Sequence, residues 1–294
     1  MLGFFFKLFL RATALLPLPV AHFIGALLGQ LIYYLPNNAR AVAKINIQLC
    51  FPEYNANQQN RLLHNSLIES GKTIAEMGIM WLGDSKKVLN LVTAIEGEEH
   101  LAAALKKNNG VLLAMPHIGS WELVNLYAAR HYPVTSLYKP ARTQGLDNLI
   151  RTSRQRTGAT LVPTDTKGVR AVSKALKNGE VVVILPDQQP YLRMKNGIFS
   201  PFFNVPANSM TLMSKLADKS SSEIVYAYTK RQEAGKGFTL CFMPATENSD
   251  KKDLQKSVDI MNKDIETVVR DCPEQYQWTY KRFKAQPDGA PRRY

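Results

Sequence analysis

The sequence is poor in cysteine and shows no cluster of metal-binding side chains. Its three cysteines, Cys50, Cys241 and Cys272, are far apart and odd in number, and no Cys-x2-Cys pair occurs. The five histidines do not have the spacing of a metal site. We therefore expect no metal, no cofactor and no disulfide framework, which fits a protein on the reducing side of a membrane.

Glycine-rich phosphate loops and nucleic-acid-binding motifs are also missing. Neither G-x-G-x-x-G nor G-x-x-x-x-G-K-[ST] occurs, so nucleotide chemistry is not expected. The formal net charge of +13 would suit nucleic acid, anionic lipid or an acidic carrier as a partner. The basic residues do not gather into one tract with interleaved aromatics, so we expect a membrane surface or a phosphorylated ligand and no nucleic acid. The alternative is a solvated basic face.

Charged side chains are missing from a long stretch near the N-terminus. Between Arg11 and Pro36 lie 24 residues without Asp, Glu, Lys or Arg. That is more than the ~20 residues that a helix needs to span a bilayer. Pro17, Pro19 and His22 interrupt the stretch, so a segment that lies shallowly in the membrane is one alternative. A hydrophobic helix docked on a soluble domain is the other.

The rest of the chain alternates predicted strands with predicted helices. Short apolar runs predict strands at 111–115, 133–138, 160–163 and 180–185, with helices between them. This alternation is typical of an α/β fold with a largely parallel central sheet and covering helices. We therefore expect an N-terminal hydrophobic membrane-anchoring helix within residues 1–36 and a single α/β domain over residues 37–294. The proline-containing stretch 196–208 is expected to be a loop.

The stretch Gly110–Leu126, GVLLAMPHIGSWELVNL, carries the strongest chemical signal. A buried strand stops at Pro116, His117 lies in the following turn, and a helix is predicted to begin after Ser120. His117 therefore follows a core strand, where α/β proteins place their chemistry. Glu122, in the first helical turn, can accept a hydrogen bond from one ring nitrogen of His117 and raise the basicity of the other. The alternative is a histidine that is only hydrogen-bonded in the core.

Four stretches together resemble one family. HIGSWE at 117–122 resembles the His-x4-Asp/Glu motif of glycerolipid-type acyltransferases, and in the form with Trp before the acid it is similar to the late acyltransferases of lipid A biosynthesis. NIQLCFPE at 46–53, ILPDQQ at 184–189 with the later Phe-Phe pair, and PEQYQWTYKRFK at 273–284 also resemble segments of that family. The resemblance covers nearly the whole chain. It implies a glycerolipid-acyltransferase-like fold, with His117 as general base oriented by Glu122.

Five further side chains are predicted to bind substrate. Lys139, Arg142 and Arg154 are the cations that we place near a phosphate or a carrier, and the resemblance favours Arg154. A solvated charge is the alternative for each of them. Asp187 and Gln188 follow a predicted strand and are expected at the same sheet edge as the histidine. They could hold a sugar hydroxyl or support the catalytic pair, and a purely structural Asp187 is the alternative.

The resemblance also implies partners and a location. The acyl donor would be acyl carrier protein or acyl-CoA, and the basic surface favours the acidic carrier. The acceptor would be a hydroxyl of an anionic glycolipid such as a lipid A precursor. The enzyme would act at the cell inner membrane with its catalytic domain facing the cytoplasm. Backbone N–H groups of Gly119 and Ser120 are candidates for binding the oxyanion, since a helix N-terminus favours negative charge.

Departures from the family pattern leave alternatives open. Gln189 stands where the family commonly has Asp, Asn204 where it has Gly, and Tyr280-Lys281 where it often has His-Arg. One alternative is therefore an acyltransferase that uses acyl-CoA on another membrane glycolipid or lysolipid. Another is an inactive, membrane-bound lipid-binding relative. A serine hydrolase based on Ser120 is disfavoured because no Gly-x-Ser-x-Gly elbow is present.

Overall fold

The computed structural model describes residues 2–141, 143–190, 197–247 and 252–294. The helices in these ranges are α1 (Leu2–Ala14), α2 (Leu18–Tyr34), α3 (Asn38–Cys50), α4 (Ala56–Leu82), α5 (Ser85–Leu89), α6 (Glu98–Lys106), α7 (Trp121–His131), α8 (Gln144–Gln155), α9 (Thr166–Lys177), α10 (Leu212–Ser220) and α11 (Leu254–Asp271). The strands are β1 (Val92–Glu96), β2 (Val111–Ala114), β3 (Val134–Tyr138), β4 (Thr160–Pro163), β5 (Val181–Ile184), β6 (Gly197–Phe202), β7 (Val205–Met210), β8 (Glu223–Arg231) and β9 (Phe238–Pro244).

Seven strands form one sheet in the order β1-β9-β8-β2-β5-β3-β4. Neighbouring strands are parallel except β8 and β9, which are antiparallel. The predicted α/β fold with a largely parallel sheet and covering helices is therefore confirmed. Because β2 and β5 are adjacent and parallel, their carboxyl ends meet at one edge of the sheet. That edge holds the histidine turn.

The central strands are buried on both faces. Leu112 and Ala114 of β2 pack into one apolar cluster with side chains of α9 and α11. Val111 and Leu113, which alternate with them, pack into a second cluster with side chains of α7. Such strands are near-continuous apolar runs because neither face meets water. This burial gives the turn after β2 a rigid base.

Residues 197–210 form the separate antiparallel hairpin β6–β7, so the expectation of a loop there is wrong. Phe203 and Asn204 connect the strands with φ of +50° and +60°, as in the type I′ turns that favour asparagine and glycine. Pro201 and Pro206 lie opposite each other, one step from the turn. In a two-residue hairpin that pair makes no ladder hydrogen bond, so neither proline removes a needed donor.

Residues 2–34 fold into two helices rather than one. Pro17 caps α2, and Pro19 lies in its first turn, where proline is tolerated. Among the described helices none is long and apolar enough to cross a membrane alone. The pair α2 and α3 reaches that length and apolarity only together, and it is bent by 81°. An anchor within residues 1–36, and a domain boundary after it, stay predictions.

The helix α2 packs along α4 at backbone distance. A Cβ added to Gly71 of α4 would lie 2.1 Å from the carbonyl oxygen of Gly25, and one added to Gly29 would lie 2.4 Å from the Cα of Ile68. Only glycine permits this approach. The opposite face of α1 and α2 is exposed and apolar. Its exposed large side chains are Phe5, Leu8, Leu15, Val20, Phe23, Leu27, Leu31 and Tyr34.

A buried ionic cluster joins α2 and α4 to the sheet. The Arg231 guanidinium, at the end of β8, donates to Glu76 of α4 at 2.5 and 2.9 Å and to Glu69 at 3.0 Å. His22 of α2 lies 2.5 Å from the same Glu76 carboxylate. Although burial opposes it, the neighbouring Arg231 holds the pKa of Glu76 below its usual value. The first helices are thus fixed to the strand that runs beside β2.

Candidate active site

The turn after β2 is held by the C-terminal part of the chain. Ile118 pairs with Tyr276 in an isolated antiparallel bridge, and Gln277 N–H donates to the His117 carbonyl oxygen at 3.1 Å. Gly119 has φ of +58°, and a Cβ there would lie 2.0 Å from the carbonyl oxygen of Thr229. Glycine is therefore required at this position. The turn presents the His117 ring at the edge of the sheet.

The two backbone N–H groups expected to bind an oxyanion already have partners. Gly119 N–H donates to the carbonyl oxygen of Gln275 at 3.1 Å, and Ser120 N–H donates to the Thr229 hydroxyl at 2.8 Å. Each donor is used to fix the turn rather than aimed at a substrate. The Ser120 side chain does not cap α7.

His117 and Asp187 form a close pair. His117 Nδ1 lies 2.8 Å from Asp187 Oδ1, and the His117 backbone N–H donates to Oδ2 at 3.1 Å. Asp187 is buried, which alone would raise its pKa, but the His117 charge and hydrogen bonds hold that pKa below the usual value. An ionised carboxylate only accepts, so Nδ1 carries the proton and donates it to Asp187. When the ring is neutral, the other nitrogen, Nε2, is then an acceptor.

Gln188 meets that acceptor. Its side-chain amide nitrogen lies 3.2 Å from His117 Nε2 and 3.1 Å from Gln277 Oε1. The shared Gln277 oxygen accepts from the amide, which fixes the amide so that it donates to the ring nitrogen as well. The His117 ring is therefore held from both sides in the tautomer that a general base needs.

Glu122 binds Arg154 instead of the histidine ring. Arg154 donates from Nε to Oε2 at 2.9 Å and from Nη2 to Oε1 at 2.5 Å, a bidentate pair between α8 and α7. Burial would raise the pKa of Glu122, but Arg154 and, more weakly, His117 keep it below its usual value of 4.5. The hydrogen bond that His117 was expected to donate to Glu122 is not seen. His117 donates to Asp187 instead, and Glu122 accepts from Arg154. Their catalytic roles stay predictions.

Of the other two predicted cations, the structure describes Lys139, which lies apart from this centre. Lys139 is exposed immediately after β3, two strands from β2 in the sheet. Arg142 lies outside the described residues. Arg154 is the cation that the structure brings to the site, and it is engaged with Glu122. A phosphate-binding role for Lys139 and Arg142 stays a prediction.

A cavity of about 90 Å³ is lined by Trp121 and by three residues that hold the His117 turn, Gln275, Tyr276 and Gln277. The Trp121 ring forms one wall and lies 5.0 Å from the His117 ring, edge to face. Met77 and Ile74 of α4 add apolar surface, while Thr73, Gln275, Gln277 and Thr279 add polar groups. A cavity with both characters suits the region where an acyl chain meets a polar headgroup. A larger cavity, of about 270 Å³, lies between α10 and α11 and contains none of the predicted site residues.

Two of the departures from the family pattern contact each other. The Gln189 backbone N–H donates to the Tyr280 hydroxyl at 3.0 Å, and the Gln189 side chain donates to the carbonyl oxygen of Arg282 at 2.5 Å. Asn204 stands where φ is +60°, which asparagine tolerates better than most residues. In the structure Tyr280, the Gln189 side chain and Asn204 therefore have scaffold contacts or a turn position.

The residues that sequence reasoning missed come from the C-terminal segment. Gln275, Tyr276 and Gln277 hold the His117 turn and line the cavity next to Trp121. Burial and the nearby Asp187 raise the pKa of Tyr276, so its phenol stays neutral beside that carboxylate. The available signal was the PEQYQW sequence, which resembles a family signature but does not by itself indicate contact with the His117 turn.

Comparison with known proteins shows the family of this chain. A family model described as bacterial lipid A biosynthesis acyltransferase matches residues 1–285. The lipid A biosynthesis lauroyltransferase of Escherichia coli (strain K12) is 29% identical over 280 residues, covering 95% of this chain and 90% of the relative. A lipid A biosynthesis acyltransferase of Haemophilus influenzae is 30% identical over 282 residues, covering 95% and 88%. The palmitoleoyltransferase of E. coli K12 is 28% identical over 275 residues, covering 93% and 88%.

These matches identify the chain as an acyltransferase. It belongs to the bacterial lipid A biosynthesis acyltransferase family, as its four sequence motifs implied.

Proposed function

We propose that this enzyme moves a fatty acyl group from an acyl thioester to a hydroxyl of a lipid A precursor, with His117 as the general base. The observation that carries the proposal is the His117–Asp187 pair at the end of β2. Family membership supports acyl transfer to lipid A. The pair supplies a base that works on an alcohol without a protein nucleophile.

The proposed reaction proceeds in one displacement. His117 Nε2 takes the proton of the acceptor hydroxyl as the oxygen attacks the thioester carbonyl carbon. The C–S bond breaks when the tetrahedral intermediate collapses, and the imidazolium returns its proton to the thiolate. Asp187 stabilises the imidazolium and holds the ring in place, as the carboxylate does in a catalytic triad. General-base catalysis of this kind contributes roughly 10²–10⁴-fold.

Gln188 and the Glu122–Arg154 pair are positioning groups in this mechanism. The acceptor hydroxyl must displace the Gln188 amide from His117 Nε2 or bind beside it. Gln188 therefore marks the position of the acceptor hydroxyl. The buried Glu122–Arg154 pair fixes the start of α7, which carries the Trp121 wall of the cavity.

We propose acyl carrier protein as the donor and the cytoplasmic face of the inner membrane as the location. The net charge of +13 favours an acidic, carrier-bound thioester and an anionic membrane. The exposed apolar face of α1 and α2 supports docking in the interface, because a helix with one apolar face lies in the plane of the membrane. Lys7 and Arg11 of α1 would meet anionic headgroups.

The test is a transfer assay with the purified full chain in detergent. The protein is incubated with a lipid A precursor and acyl carrier protein charged with mixed chain lengths, and product masses are read. We expect a mass gain of one acyl group, lost in His117→Ala and retained in His100→Ala, a partly exposed histidine on α6. Transfer by His117→Ala at the wild-type rate would refute the mechanism. Hydrolysis of the donor without an acylated product would mean that the site is active and that the proposed acceptor is wrong.

A further inference from the structure

The exposed face of α9 carries four cations. Lys167, Arg170, Lys174 and Lys177 are all exposed. At 100° per residue they fall within an arc of about 80°, and they extend over about 15 Å of helix. The opposite face, with Val172, packs into the core. The helix therefore presents one continuous basic stripe to solvent.

No acidic side chain lies within α9 itself, and Asp165, its N-cap residue, accepts from the Gly168 N–H. Within the described ranges none of these four cations lies in a salt bridge, although cations on α4, α8 and β8 do. Elsewhere acids and bases share a helix, as Lys215, Asp218 and Lys219 do on α10. The positive field of α9 is consequently left for a partner to neutralise.

The stripe begins at the catalytic edge of the sheet. β4 is parallel to β3 and ends at Pro163, level with Tyr138, and α9 starts three residues later. In the sheet, β4 lies three strands from β2, a lateral distance of roughly 14 Å at the usual strand spacing. A protein docked on α9 would thus place a flexible thioester arm within reach of His117, without covering the site.

The chemistry of the stripe favours a protein over a membrane. The large apolar side chains that are exposed on α1 and α2 have no counterpart on α9. Interfacial helices need such side chains to insert between lipids. Four cations at helical spacing, with no apolar group among them, complement a row of carboxylates on another helix.

We propose that Lys167, Arg170, Lys174 and Lys177 form the docking surface for an acidic helix of the protein that carries the acyl thioester. This role serves the proposed acyl transfer and rests on it. Docking raises the local concentration of thioester at His117 and takes no part in the chemistry. Charge reversal on α9 must therefore weaken use of the carrier-bound donor and leave a small thioester donor unaffected.

The experiment compares Lys167→Glu/Arg170→Glu with wild type and with Lys86→Glu/Lys87→Glu. The control pair is exposed on α5, which packs on α7 beneath the other sheet face, and it changes the net charge equally. Each protein receives acyl carrier protein charged with a fatty acyl group, or acyl-CoA. The α9 variant should raise the KM for the carrier-bound donor about tenfold with kcat unchanged, and leave the acyl-CoA constants as they are.

Binding of acyl carrier protein is measured separately by fluorescence anisotropy at two salt concentrations. A fall in affinity confined to the α9 variant supports the docking surface even if no acceptor is turned over, whereas absence of transfer by wild type from both donors rejects the proposed function. Equal carrier affinity in all three proteins overturns the docking surface. So does an α9 variant that keeps its carrier affinity and loses binding to anionic vesicles.

Discussion

His117 Nδ1 donates to Asp187 Oδ1 at 2.8 Å, across 70 residues of sequence. The contact exists because β5 lies next to β2 in the sheet, although β3 and β4 come between them in the chain. In the proposed mechanism, the residue that orients His117 therefore lies outside the His-x4-Glu motif. The motif glutamate instead binds Arg154, so two carboxylates divide the work of holding the site.

Asp187→Asn is expected to lower kcat by roughly 10²–10⁴-fold at neutral pH with the fold retained. The amide can still hydrogen-bond the ring, but it can present its N–H to Nδ1 and so leave the wrong nitrogen protonated. Steady-state kinetics with circular dichroism checks this. Asp218→Asn, an exposed change on α10, is the control. Full activity of Asp187→Asn would mean that Asp187 does not orient His117.

Arg154→Met is expected to destabilise the protein by about 3–5 kcal/mol, because it leaves the buried Glu122 carboxylate without its cation. The double variant Glu122→Gln/Arg154→Met should recover part of that loss. Lys107→Met, which removes a partner of a more exposed pair, should cost under about 1 kcal/mol. Urea unfolding measures all three. Additive losses in the double variant would mean that the pair is not coupled.

The free energy of unfolding should fall as the pH drops below about 4.5. Glu76, Glu122 and Asp187 have lowered pKa values in the folded protein, so the unfolded chain binds more protons as acid is added. Their contribution is complete above the unfolded pKa and is lost as the pH passes through the folded pKa. Urea unfolding from pH 6 to pH 3 gives the slope of the unfolding free energy against pH. Glu122→Gln should flatten it, and the exposed Glu99→Gln should not.

Gly25→Ala should destabilise the protein by about 1–3 kcal/mol, since the new methyl group would lie 2.5 Å from the Cα of Lys72. Gly145→Ala, in α8, meets only the mobile end of the Lys7 side chain and should be neutral or stabilising. Thermal unfolding in detergent distinguishes the two. If both changes were neutral, α2 would not be packed on α4 in solution.

Phe23→Ser/Leu27→Ser/Leu31→Ser should abolish flotation with vesicles of phosphatidylethanolamine and phosphatidylglycerol. Each exposed apolar side chain gains roughly 1.5–3 kcal/mol when it leaves water, so removing three is decisive. Leu82→Ser/Ile95→Ser removes exposed apolar side chains elsewhere and should leave flotation intact. Flotation of the α2 variant at the wild-type level would reject this face as the membrane contact.

Local pattern was enough to predict the central strands. The apolar runs before His117 and Asp187 are buried on both faces, and such runs are readable without knowing the neighbours. The order of strands in a sheet does not follow from local sequence. Asp187 and His117 could therefore be predicted to share a sheet edge, but not to contact each other. The partner of Glu122 depends on how α7 and α8 lie together. Neither spacing nor residue type specifies this helix arrangement. His117, which is close to Glu122 in the sequence, was therefore the expected partner.

The prolines in residues 197–210 are the reason that a loop was predicted where the structure has a hairpin. Pro201 and Pro206 would break most strands, but here they occupy a pair that forms no ladder hydrogen bond. Register decides whether a proline is tolerated, and register follows from the two-residue turn at Phe203 and Asn204. The positive φ at both turn residues was not apparent from Phe-Asn, which is not a common pair for such a turn.

The bridge between Ile118 and Tyr276 has a consequence for biosynthesis. His117 leaves the ribosome about 160 residues before the Gln277 that fixes its carbonyl group, a delay of roughly 8–30 s at bacterial rates of translation. During that interval the sheet can begin to form, but the His117 turn lacks the partners that shape it. Under the proposed mechanism, a nascent chain at this stage has the general base without its geometry, so acyl transfer can begin only after the last segment has folded.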